Sequence, residues 1–310
     1  MSDKFPKIIT IVGTNASGKS SIGLALAQEF NGEIISADSR QIYQGFDLCS
    51  GKVTQEESQV VQHHLINIKK IGEPFSVADF QNYVYSLVPQ IIERGKLPFI
   101  VGGTGLYVAS VVHGYTLYEK TPDFALRERL EGLSIEELKL MLNREGKEFL
   151  DSKISDSLNK RRVIRVLEKT FHGESLEYDN EPKYDVLQIG VTWPKEMLNK
   201  RIEERLANRI EQGMLDEVKV YLDNDGNKEF LYDLGLEYRY ILWYLTGKYS
   251  SFSEFNIELS RAIKRFAKRQ MTWFKRDKSI HWIDMTADPI TQAKAMIEEF
   301  LKCNCSIKDS

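Results

Sequence analysis

The sequence predicts an α/β fold: a parallel-sheet core with a phosphate-binding loop (P-loop), an inserted helical domain and a helical C-terminal region. Three observations predict it. Short β-branched runs at Lys7–Val12, Glu33–Ala37, Leu97–Val101 and Asp185–Trp193 alternate with helical patterns, which is how parallel sheets with helices on both faces read. A glycine loop joins the first run to a helical stretch. The strand signal disappears between residues 121 and 183, where charged helical patterns take over, and then resumes. A core of residues 1–120 and 184–310 is therefore expected, split by an inserted helical domain at 121–183.

Each element has a local cause. Lys7–Val12 is a strand, Lys19–Phe30 has helical spacing of apolar residues, and Asn31-Gly32 stops that helix. Ser76 and Asp79 have capping-box spacing ahead of a long helical pattern, and Ser251 and Glu254 repeat it. The second of these helices turns Leu259, Ile263, Phe266, Ala267 and Phe274 inward and leaves Arg261, Arg265, Lys268 and Arg269 on the other side. A short strand is expected at Ile280–Asp284.

Composition excludes several classes. At 310 residues the chain has room for about two domains. With 42% hydrophobic and 28% charged residues, 20 glycines and 8 prolines, it is neither disordered nor fibrous. No uncharged apolar run approaches the ~20 residues that cross a bilayer, so a cytoplasmic protein without membrane contact is expected. Cys49, Cys303 and Cys305 cannot make a disulfide framework and read as thiols. His63-His64 has no third ligand nearby and reads as structural. The net charge of −3 is uneven: residues 261–278 carry +7 and residues 153–169 carry +4, leaving −14 elsewhere. Two basic segments on an acidic body suit nucleic acid only if a motif supports them.

The glycine loop supplies a motif. GTNASGKS at 13–20 fits G-x-x-x-x-G-K-[ST] and lies between a strand and a helix. Gly13, Thr14, Asn15, Ala16, Ser17 and Gly18 would turn backbone N–H groups toward phosphates, Lys19 would neutralise a terminal phosphate, and Ser20 would hold Mg²⁺. Ligands of such sheets gather beyond the strand ends, where Asp38 and Thr104 fall. Asp38 could equally make an Asx turn, and Thr104 a helix cap. A small-molecule or nucleoside kinase would use the same loop for ATP. A nucleotide-switched nucleic-acid-binding protein is a further reading.

The ordered set GTNASGKS, ISADSRQIYQGFD from Ile35, HHLI at 63–66, FSVADF at 75–80, VGGTGLY at 101–107, RRVIRVLE at 161–168, RIEERL at 201–206 and AKRQMTWFK at 267–275 resembles the tRNA dimethylallyltransferase family. The resemblance covers nearly the whole chain and implies prenyl transfer from dimethylallyl diphosphate to N6 of adenosine 37 in the tRNA anticodon stem-loop, by a monomer. It implies Asp38 as the base, and Asp38, Ser39, Arg40 and Gln41 as the contact segment for the target adenine. Thr104 and Arg205 fall on the diphosphate side, with Thr104 also counted at the RNA. Arg127, Arg161, Arg162, Val163, Ile164 and Arg165 match tRNA contacts in the inserted domain, and Lys268, Arg269 and Gln270 match a C-terminal signature. A free-nucleotide isopentenyl transferase would share the chemistry with less need for the insertion. The chain departs from the family pattern at Cys49-Ser50-Gly51-Lys52, at Asn67, at LGLEYR (234–239) and at Arg209, where methionine is more usual.

Overall fold

Six parallel strands form one sheet in the computed structural model, which describes residues 5–117, 123–145, 160–173 and 180–303. They are β1 (Lys7–Gly13), β2 (Gly32–Ser36), β3 (His63–His64), β4 (Leu97–Gly102), β5 (Asp185–Thr192) and β6 (Ile280–Asp284), in the order β3-β2-β4-β1-β5-β6. β1 is central, pairing with β4 from Ile9↔Phe99 and with β5 from Lys7↔Asp185. Alternate residues of β1 feed separate apolar layers: Ile8 and Val12 pack with Phe80, Val84 and Ile100, whereas Ile9 and Ile11 pack with Leu26, Phe99 and Ile189. Both faces are covered, as β-branched parallel strands require.

The chain divides into two compact units, Met1–Gly114 with Pro182–Ser310, and Tyr115–Glu181. Among the described residues, the smaller unit has helices Phe124–Glu131, Ile135–Glu145 and Lys160–Phe171 around Leu130, Leu138, Leu142, Val163, Ile164 and Leu167. This corrects one expectation. Val163 and Ile164 are 1% and 3% exposed, so their side chains build the small core and are not presented to RNA. The segment's spacing explains it, since a helix with a basic face must bury the opposite one. Lys153 and Asp156 of the basic segment, and Cys305, lie outside the described residues.

In the larger unit, helices Lys195–Glu211, Met214–Asp223, Leu236–Leu245 and Phe252–Phe274 pack around a third core containing Ile202, Leu206, Met214, Tyr238 and Leu259. That core reaches the glycine loop through Ala16. Leu259, Ile263, Ala267 and Phe274 are buried as expected, but Phe266 is half-exposed, between the guanidinium groups of Arg40 and Arg269. β3 has no signature in the sequence beyond two histidines. His64 is fixed by the carboxylate of Glu33 at 2.7 Å, which also pairs with Arg94 at 2.6 Å. No described helix is long and apolar enough to cross a membrane.

Glu168 organises the smaller unit. Its buried carboxylate accepts hydrogen bonds from Arg127 at 2.7 and 3.0 Å, from Arg165 at 2.5 Å and from the Asp123 N–H at 2.8 Å. Burial alone would raise its pKa, but the hydrogen bonds from Arg127 and Arg165 outweigh burial and hold it at about 2. A carboxyl depressed on folding stabilises the fold above its unfolded pKa, and that contribution fades as pH falls from 4.5 toward about 2. Glu168→Gln is expected to destabilise the smaller unit by about 2 kcal/mol near neutrality, read by hydrogen exchange of helix Lys160–Phe171. The difference from the unaltered protein should shrink in acid; a constant difference would remove the ion pair as its cause.

Candidate diphosphate site

Three loops meet where β1, β2 and β4 end. The first is the glycine loop, in which Gly18 has φ 88° and caps helix Lys19–Glu29. That helix has no side-chain cap and no acidic residue in its first turn, so its first N–H groups and positive end remain available to an anion. Helix Gly105–Val112 begins the same way. Helices Val77–Glu93 and Phe252–Phe274 instead start under the hydroxyls of Ser76 and Ser251.

The glycine loop is shaped by side chains distant in sequence. Gln270 Oε1 accepts from the Asn15 N–H at 2.8 Å, while its Nε2 donates to Gly103 O at 3.0 Å. Trp193 Nε1 donates to Ser17 O at 2.8 Å, Arg201 Nε donates to Ala16 O at 3.0 Å, and Arg201 stacks on Trp193. Lys19 donates to Thr14 O at 3.3 Å. The structure thus places Gln270 on the loop, while Lys268 and Arg269, from the same signature, are exposed. Ser20 is exposed in the first turn of its helix.

Asp38 and Thr104 come together through the backbone. Gly102 permits it, because a Cβ there would lie 2.1 Å from Ala37 O. Thr104 N–H donates to Ala37 O at 3.0 Å, and the Thr104 hydroxyl accepts the Ser39 N–H at 3.1 Å. That hydroxyl does not cap its helix; its own proton is left to donate to a ligand oxygen. Asp38 does make the Asx turn, accepting the Arg40 N–H at 3.0 Å. Gln41 is held at both ends, by the Ser36 hydroxyl at 2.7 Å and by Gly51 O at 3.0 Å.

Helix Lys195–Glu211 adds positive charge. Arg201, Arg205 and Arg209 stand four residues apart on one face, beside the buried Ile202 and Leu206. Arg205 and Arg209 line a small cavity with Asn15 and the buried Glu237. Burial, then Arg209, lowers the Arg205 pKa to about 10. Burial, then Arg205, lowers that of Lys19 to about 8. Gly51 makes room for this crowding: at φ 61° its missing Cβ would sit 1.4 Å from an Arg209 guanidinium nitrogen. Arg201, Arg209, Glu237 and Gly51 were not foreseen as site residues. The four-residue spacing of the arginines was a usable signal, whereas the proximity of Gly51 was not visible in the sequence. Arg127, Arg161, Arg162 and Arg165 lie in the smaller unit, Arg127 and Arg165 on Glu168. His63 and His64 serve β3, and no group of three or more metal-binding side chains occurs among the described residues.

A parallel sheet whose first strand runs into this loop, with cations gathered at its carboxyl edge, defines a P-loop protein, a class whose loop is shaped to receive phosphate groups. Within that class the chain belongs to the IPP transferase family, whose profile matches residues 41–277. The tRNA dimethylallyltransferase of Bacillus velezensis is 38% identical, spanning 98% of this chain and 98% of its own. The tRNA dimethylallyltransferase 1 of Geotalea daltonii is 40% identical over 94% of each. The crystal structure of the full-length tRNA isopentenylpyrophosphate transferase from Bacillus halodurans matches with a TM-score of 0.72 at 36% identity, over 96% of this chain and 97% of that one. A eukaryotic dimethylallyltransferase acting on tRNA shares the fold, with a TM-score of 0.78 at 24% identity over 98% of this chain and 81% of its own.

Gly51→Ala should displace Arg209 and weaken binding of inorganic diphosphate by about tenfold, one lost charge-assisted contact. Calorimetry on Gly51→Ala, Arg209→Met and the double variant checks it. Equal losses in all three show one shared interaction, and additive losses would show that Gly51 acts otherwise.

Proposed function

We propose that the chain transfers a dimethylallyl group from dimethylallyl diphosphate to N6 of adenosine 37 in tRNA, releasing diphosphate. The reading rests on family membership and, within this chain, on the hydrogen bond between the Thr104 hydroxyl and the Ser39 N–H. It ties the phosphate side of the site to the segment that would meet the adenine.

The exocyclic amine is a poor nucleophile because its lone pair is delocalised into the ring. An allylic diphosphate ionises readily because the positive charge on carbon is spread over the allyl system. The C–O bond to diphosphate breaks, the N6–C bond forms, and N6 loses a proton. Lys19, Arg205, Thr104 and the free N–H groups of the glycine loop would stabilise charge growing on the departing diphosphate. One Asp38 oxygen is fixed by the Arg40 N–H; the carboxylate would orient the amine and accept its proton.

The chemistry of the residues present fits Mg²⁺. Ser20 offers a hard oxygen at the helix start, and the ion ordinarily binds few protein groups beside substrate phosphates. Ser20 would hold it, and when bound it would neutralise diphosphate charge.

The target base must leave its stack to reach a site at the sheet edge. Arg161, Arg162, Lys268 and Arg269 would take RNA phosphates, with Arg127 and Arg165 contributing beside Glu168. On this reading the protein works in the cytoplasm as a monomer. A small-molecule or nucleoside kinase would share the loop, but the relatives that match almost end to end are named tRNA prenyltransferases.

Incubation with dimethylallyl diphosphate and tRNA should add one prenyl mass to the RNA; phosphate transfer from ATP to a small acceptor would favour the kinase. Asp38→Ala should lose about 10²–10⁴-fold in rate while still binding tRNA, and near-normal turnover would remove Asp38 as the base. Because Lys19 titrates near pH 8, its charge is present below that pH and lost above it. Diphosphate affinity should therefore decline as pH rises through about 8, and a flat profile in calorimetry would detach Lys19 from the phosphates.

A further inference from the structure

The departure at residues 234–239 opens a surface that the chemistry above does not use. We propose that helix Leu236–Leu245, with the adjoining basic face of helix Phe252–Phe274, is a stacking platform for unpaired nucleotides of the substrate RNA beside the target adenosine. The inference rests on the tRNA reading and assigns part of the RNA contact to aromatic rings.

The rings and cations alternate. Trp243 lies 5.2 Å from Tyr240 and 6.1 Å from Tyr232, centroid to centroid. The Lys248 ammonium is 3.2 Å from the Trp243 centroid, and the Arg239 guanidinium is 4.1 Å from that of Tyr232. Arg239 is locked there by two hydrogen bonds to Tyr232 O, at 2.9 and 2.8 Å. Arg265 donates to the Tyr240 hydroxyl at 3.5 Å. Tyr232 is 46% exposed, and Trp243 and Tyr240 are partly exposed. On the adjoining helix Phe252–Phe274, the carboxylate of Glu254 is engaged by Ser250 and that of Glu258 by Arg261.

This row continues to the site. A Cβ on Gly235 would lie 3.8 Å from the Arg239 guanidinium and 3.9 Å from that of Arg40. Arg40 donates to Leu234 O at 3.1 Å and covers Phe266, which Arg269 covers as well. From Asp38 the path therefore runs through Arg40 and Gly235 to Arg239, Tyr232 and Trp243. Solvent-facing rings interleaved with guanidinium and ammonium groups suit single-stranded nucleic acid, whose bases stack while its phosphates meet the cations. A protein partner would call for a contiguous apolar patch, which the cations interrupt.

Fluorescence anisotropy with an anticodon stem-loop RNA and a blunt duplex of the same stem, without prenyl donor, tests the platform. Trp243→Ala should bind the stem-loop about tenfold more weakly, with duplex affinity nearly unchanged and Trp243→Phe close to the unaltered protein. Tyr232→Ala, at a more exposed ring, should show the same preference and guards against misfolding of the first variant. Unchanged stem-loop affinity, or equal losses on both RNAs, overturns the platform alone. If the unaltered protein does not bind the stem-loop, the tRNA reading falls and the platform with it.

Discussion

Positive charge confined at the carboxyl edge of the sheet is the constraint around which the rest is built. Lys19, Arg205 and Arg209 lie close enough to repel one another, and Asp38 and Glu237 are the opposing carboxylates. Burial and mutual repulsion disfavour these cations, so Lys19 and Arg205 titrate below their ordinary ranges. Attraction to a bound polyanion would offset both the burial and the repulsion. On the proposed reading, the crowding of these cations would therefore favour a diphosphate over a singly charged ligand.

Such a site works only if its donors are fixed, and the chain fixes them from outside the loop. Gln270, Trp193 and Arg201 come from the second half of the sequence, yet each holds a backbone group of residues 15–17. Gln270 also bridges to Gly103, joining the β1 loop to the β4 loop. Preorganised donors need no rearrangement when charge develops on the leaving group. Gln270 would thus support the site by shaping the loop and without contacting phosphate, so the signature near residue 270 combines a loop strap with outward-facing cations.

The local parts of this architecture are legible in the sequence. β-Branched runs mark β1, β2, β4, β5 and β6, Gly18 and Lys19 mark the loop, and serine caps mark two helices. Asp38 and Thr104 are also legible, because strand ends in parallel sheets carry the chemistry. What escapes is tertiary. The helical period places Phe266 inward with its buried neighbours, and its half-exposed place under Arg40, from a distant segment, and Arg269 is set by tertiary packing. Gly51 is similar: its φ suits an ordinary turn, and the reason for its missing side chain lies in Arg209, far along the chain. RRVIR reads as one basic motif, but a helix cannot present five consecutive residues to one partner. Its middle pair turns inward.

That last point changes how the basic segments act on RNA. Part of their charge is neutralised within the chain: Arg165 meets Glu168, Arg261 meets Glu258, and Lys264 meets Glu203. Counting lysines and arginines therefore overstates the number of phosphate contacts and the salt dependence they bring. The remaining affinity needs a source that salt screens weakly. The proposed stacking platform would provide one, because base–aromatic contact is chiefly apolar and dispersive. An acidic body with a few outward cations beside exposed aromatics disfavours indiscriminate binding to duplexes, whose bases are covered. On the proposed reading it would favour an RNA loop, where bases are available beside phosphates and an adenosine could swing out toward Asp38.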